Sequence, residues 1–137
     1  MYPHQIPDPL AITSADFERM AMRAFEALPE PMRALSRDVE IFIADFAAQD
    51  VLDEFEMTDP YELTGLYSGV DLTQKSVTHP QTFPDRVFLY RLPILSEWVA
   101  RGDETIEHLI QHVLIHEIGH HFGLSDEDMH AIEDGLR

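Results

Sequence analysis

Residues 103–126 read DETIEHLIQHVLIHEIGHHFGLSD. Ile106, Leu109, Ile110, Val113, Leu114 and Ile118 recur at three and four residues, which draws a broad apolar stripe along one side of a helix. Asp103 is placed to cap it, and Glu104 and Glu107 fall in its first turn, where the helix dipole favours negative charge. The spacing predicts a helix running to about Phe122 and closed by Gly123, a residue able to take the left-handed C-terminal conformation. Ser125 is then placed to cap a last short helix from Asp126 to about Asp134.

The stretch His116-Glu117-Ile118-Gly119-His120 carries the chemistry. Histidines four apart on a helix project from nearly the same face, so His116 and His120 can reach one zinc ion at about 2.0–2.1 Å each. Glu117 is turned about 100° from His116 and stands beside such an ion without having to bind it. From there its carboxylate can hold an attacking water, take its proton and later pass it to a leaving amine. Two histidines underfill a zinc site, because a catalytic site has three protein ligands and an open position. Gly123 permits a sharp turn that brings Asp126 back toward the metal as the third ligand. His130, four residues further on, shares a helical face with Asp126 and competes for that role or orients it.

His108, His112, His116 and His120 form a ladder with a step of four that drifts about 40° per step. His108 is too far round the helix to share a metal with His120. His112 is close enough to touch the residues around the ligands, and both read most simply as solvated or core-edge histidines. His121 points away from His120 and reads as structural. Tyr61, Tyr67, His79, Arg86 and Tyr90 are candidates to stabilise an oxyanion, although each has an ordinary packing role as its simpler reading.

Working outward, residues 1–13 hold three prolines and read as an extended N-terminal arm, which leaves 14–137 as a single domain. Ser14 is a plausible cap for an amphipathic helix through Phe17, Met20, Ala21, Ala24, Phe25 and Leu28, ending near Pro29. Asp38–Phe46 and Arg86–Leu92 alternate as strands, and Leu63–Tyr67 is a shorter strand broken by Ser68-Gly69. Residues 47–57 can hold a short helix, Asp59-Pro60 marks a turn, residues 71–86 form a loop, and residues 94–100 can form a helical turn or two after Pro93 ends the strand. The Arg86–Leu92 strand is a candidate edge for pairing with an extended peptide, with an ordinary covered strand as the alternative.

The chain has 137 residues, 45% of them hydrophobic, enough for one core. Its net charge of −17 repels phosphate backbones and sets nucleic acid and anionic membranes aside as partners. A peptide or protein of unspecified identity is left as substrate, and the oligomeric state is left open. With no cysteine, disulfides and thiolate zinc sites are excluded, so a metal must be held by His, Asp or Glu. MYPHQIPDPL has no basic or apolar region of a secretory signal, and no run approaches a membrane span, so a cytoplasmic location is expected.

The spacing HExxHxxGxx, ended here by Asp126, resembles that of metzincin-type zinc peptidases in the variant whose third ligand is Asp. The chain as a whole resembles the zincin-like metallopeptidases, or minimal zincins. The segments DFERMAMRAFEALPEPM, VEIFIADF, LTGLYSGVDL, PDRVFLYRLPIL and HEIGHHFGLSDEDMH stand in the family's order, over roughly residues 14 to 134. The resemblance implies a small sheet, an active-site helix and a short terminal helix. With the periodicity, it gives an α+β domain with a single small mixed β-sheet, helices packed on one face, and an HExxH active-site helix. It also implies Zn2+ and peptidase chemistry, in which zinc-activated water attacks a peptide bond with Glu117 as general base. The chain departs from larger metzincins in one respect: only 11 residues follow Asp126, too few for their methionine turn, so the floor of the site must be built otherwise. The competing function is a non-catalytic zinc-binding module that recognises a protein partner, its metal site closed by both Asp126 and His130.

Overall fold

In a computed structural model of the protein, residues 11–30, 32–69 and 85–135 are described. Most of the expected N-terminal arm and nearly all of the 71–86 loop, including His79, lie outside them. Three strands form one mixed sheet: β1 (Glu40–Ala44), β2 (Gly65–Ser68) and β3 (Arg86–Tyr90), in the order β1-β3-β2. β1 runs parallel to β3, with Ile41 opposite Val87, and β2 runs antiparallel to it, with Tyr67 opposite Val87. β3 is therefore the central strand and has no edge to offer a peptide. That expectation is corrected: among the described residues, β2 and β1 are the outer strands. Local alternation shows that a segment is a strand but carries no information about its neighbours.

The alternation sorts the side chains by face. Ile41, Ile43, Tyr67, Val87 and Leu89 join the main core, built with α1 (Ser14–Glu26) and α5 (Ile106–His121). On the opposite face, Ala44, Leu66, Phe88 and Tyr90 form a smaller cluster with Val51 and Leu52 of α3 (Gln49–Glu54). The two long helices thus lie on one face as expected, while α3 covers part of the other. Phe42 stacks on Phe88 there at 5.6 Å between ring centroids.

Several boundaries differ from the sequence reading for reasons of capping. Thr13, not Ser14, caps α1, in a reciprocal box with Asp16. A short α2 (Met32–Leu35) follows Pro29. The turn at Asp59-Pro60 is a single 3₁₀ turn in which Asp59 Oδ1 accepts from the Tyr61 N–H at 2.9 Å. Pro93 does not end a strand. It sits in the first turn of α4 (Arg91–Arg101), where a helix has no need of the missing N–H. No helix among the described residues is long and apolar enough to cross a membrane.

α5 is the spine of the core. Leu109, Ile110, Leu114, Ile115 and Ile118 are fully buried. Its cap is Thr105 rather than Asp103: the Thr105 hydroxyl accepts from the His108 N–H at 3.1 Å. A Thr105→Ala change should cost about 1 kcal/mol of stability, measurable by urea unfolding, whereas Asp103→Ala should have a smaller effect. β2 lies tight against this helix because of Gly65, where a Cβ would come within 2.9 Å of Val113 and 3.1 Å of the Glu117 Cγ. Gly123 takes φ +76° just after α5, and α6 (Asp126–Gly135) folds back against it. Ser125 caps α6 as expected, with the Asp128 N–H donating to its hydroxyl at 3.0 Å.

Candidate metal centre

The turn at Gly123 brings the start of α6 beside the end of α5, so acidic groups of α6 face the histidine ladder. Among the described residues, two groups of three donors have ligand atoms within 4.8 Å of one another: His116, His120 and Asp126, and His112, His116 and Glu133. In the first, His120 Nε2 lies 3.7 Å from Asp126 Oδ1, and both side chains are largely exposed. Ligands held tetrahedrally at 2.0–2.1 Å stand about 3.3 Å apart, so the His120–Asp126 pair needs only a small closure. Two imidazoles and a carboxylate are a donor set suited to zinc, and the residues present fit the ion. His130 belongs to neither group. Its ring lies 6.0 Å from that of His116.

Glu117 also stands outside both groups. It points toward β2, where the Tyr67 backbone N–H hydrogen-bonds its carboxylate. Burial raises its pKa, and the His120 charge and the Tyr67 N–H offset that only in part. Tyr90 is buried, and burial together with the nearby Glu117 charge keeps its hydroxyl protonated.

One potential donor atom from each of His116, His120 and Asp126 thus lies within 4.8 Å of the others, and Glu117 is outside that group. A family model described as zincin-like metallopeptidase matches residues 36–136. The chain belongs to this zincin-like metallopeptidase family. The matched span holds all three strands and every residue of both donor groups, and leaves α1 outside it. No curated protein matches the chain. Family membership supports a zinc peptidase-type function and a metal, typically zinc, at that general level.

Glu133 is the member of a donor group that the sequence reading did not name. It is 8% exposed, and its carboxylate bridges two histidines, with Oε1 2.6 Å from His116 Nε2 and Oε2 3.0 Å from His112 Nδ1. Burial pushes its pKa up, but the hydrogen bonds and charges of His112 and His116 outweigh that and hold it below the usual carboxylate range. Burial and the neighbouring His112 push His116 the other way, toward the neutral form a metal ligand needs. A signal was present: Met129, Ile132 and Glu133 follow the three-and-four spacing of a buried stripe, which puts an acid at a core position of α6.

The remaining candidates have other partners. His108 pairs with Glu104 at 2.7 Å near the start of α5. His121 stacks on Tyr67 at 3.6 Å, and the Tyr67 hydroxyl donates to buried Asp85 at 3.1 Å. Burial and Asp85 hold that hydroxyl protonated and turned away from an oxyanion role. Arg86 lies over the Phe42 ring, and Tyr61 packs edge-on against Phe46.

Proposed function

We propose that this zincin-like chain is a zinc-dependent peptidase in which His116, His120 and Asp126 hold the metal and Glu117 is the general base. The observation that carries this reading is the placement of Glu117: next to the donor triad in sequence and space, outside both donor groups, and anchored by the Tyr67 N–H. A bound zinc ion supplies Lewis acidity, polarising a carbonyl oxygen and lowering the pKa of water to about 7. The protein's own part is proton handling and orientation. Glu117 accepts the proton of the attacking water and returns it to the amine that leaves when the peptide bond breaks. Its raised pKa brings its basicity closer to the neutral range in which that transfer is most effective. Tyr90 keeps its proton under burial and the influence of the Glu117 charge, so its hydroxyl remains a hydrogen-bond donor. The sheet edge beside α5 is β2, and an extended substrate would meet that strand rather than β3.

The closed-site alternative needs Asp126 and His130 on one ion, and His130 stands outside both donor groups, which favours an open position. The test is metal analysis of the zinc-supplemented protein at neutral pH combined with digestion of a peptide library. About one zinc per chain with cleavage at defined bonds is expected. Full zinc occupancy with every peptide intact would remove the peptidase reading, and absence of zinc would remove its premise.

A further inference from the structure

The ladder on α5 meets α6 twice, and the second meeting is the better organised. His112 and His116 repeat the spacing of His116 and His120 one turn earlier, and Glu133 faces them from α6 as Asp126 faces the later pair. We infer that His112, His116 and Glu133 form a second metal position for a borderline divalent cation such as zinc, one that excludes occupation of the first. This goes beyond the peptidase reading and can stand or fall without it.

Three features point to a site. The donor set, two imidazoles and one carboxylate, is of the kind that holds zinc with one position open. The donors are already gathered, at 2.6 Å and 3.0 Å from the two Glu133 oxygens. One ligand atom from each residue already lies within 4.8 Å of the others, and the two contacts would open by roughly 0.3–0.7 Å to reach the separation of about 3.3 Å that a tetrahedral ion sets. The carboxylate is buried, whereas the side chains of His120 and Asp126 are 60% and 79% exposed. A preformed, partly desolvated set loses less freedom on binding than an exposed one.

Exclusion follows from His116, which belongs to both groups. A neutral imidazole has one lone pair for one ion. An ion in the second position uses that lone pair and leaves His120 and Asp126 without their shared partner. The pair His112 and His116 is also centred further round α5 from Glu117 than the pair His116 and His120, roughly 120° instead of 80°. The second position therefore holds metal without placing it beside the general base.

The test is a zinc titration at neutral pH by isothermal calorimetry on four proteins. Wild type should bind one ion in total. H120A/D126A, altered only at exposed side chains, should still bind one. Adding E133Q to that pair should weaken binding at least tenfold, while E133Q alone should keep one ion through the first group. Gln can accept from one imidazole through its oxygen and donate to the other through its amide nitrogen, so the fold should survive, and far-UV circular dichroism verifies that. Histidine NMR gives an independent readout, with His112 shifting on zinc addition in H120A/D126A. Absence of binding in H120A/D126A overturns the second position and leaves the peptidase reading intact if wild type binds. Loss of metal from E133Q alone overturns it as well, by assigning Glu133 to the first group. Two ions bound by wild type overturn the exclusion.

Discussion

Replacing Glu117 by Gln should lower peptide hydrolysis by about 10²–10⁴-fold while leaving zinc content unchanged. The size of the effect is that of a general base, equivalent to about 3–5 kcal/mol of transition-state stabilisation. The selectivity follows from geometry. Glu117 lies outside both donor groups, so its charge is not needed to hold the ion. The substitution keeps the shape and leaves an amide oxygen to accept from the Tyr67 N–H, so the local backbone has no reason to move. The effect on stability should be opposite in sign. Because burial raises the folded-state pKa of Glu117, the unfolded chain loses this proton at lower pH than the fold does. Between the ordinary glutamate range and the raised value, stability therefore falls as pH rises, and the deficit persists at neutral pH. Metal-free E117Q should lack this deficit and unfold at a denaturant concentration no lower than wild type at pH 7. Equal cleavage by the two proteins would remove Glu117 from the chemistry. Loss of zinc would make it a ligand.

The parts of this site legible in the sequence are those written locally. The α5 stripe, the four-residue spacing of His116 and His120, the glycine with positive φ and the capping of α6 by Ser125 depend on neighbours within a few residues. Each came out in place. The bridging of two histidines by Glu133 spans 17 and 21 positions, and no local rule brings it to the ladder. The same holds for the order of the strands. β1 and β3 pair in parallel across a long separation, and that pairing turned the strand expected to offer an edge into the central one. The misplaced caps have a smaller cause. Thr13 and Thr105 each stand one or two residues from another good capping residue, and only the helix start actually adopted decides between them.

Gly119 was left without a role by the sequence, and it leads to the second large effect. It occupies a variable position of the motif, yet a Cβ there would fall 2.4 Å from the sulfur and 2.9 Å from the Cγ of Met129. Met129 is fully buried, with Met32 behind it. A methionine thus lies under the histidine-bearing helix, delivered by α6 instead of by a turn. It packs directly on Gly119, between the two histidines of the motif. Removing it should be costly: Met129→Ala should lose about 2–5 kcal/mol. It should also weaken zinc binding, because α6 carries both Asp126 and Glu133. Gly119→Ala sets two effects against each other. Helix propensity favours Ala by about 1 kcal/mol. Crowding a buried contact costs about 1–3 kcal/mol, so crowding should win and leave a net loss of about 1 kcal/mol. In the double variant, the new methyl enters space that the methionine vacates, and its propensity gain is no longer opposed. The combined loss in urea unfolding should therefore be smaller than the sum of the single losses, by about 0.5–3 kcal/mol. Additive losses would mean that α6 does not rest on Gly119, and with that the packing that brings its carboxylates to the ladder would have to lie elsewhere.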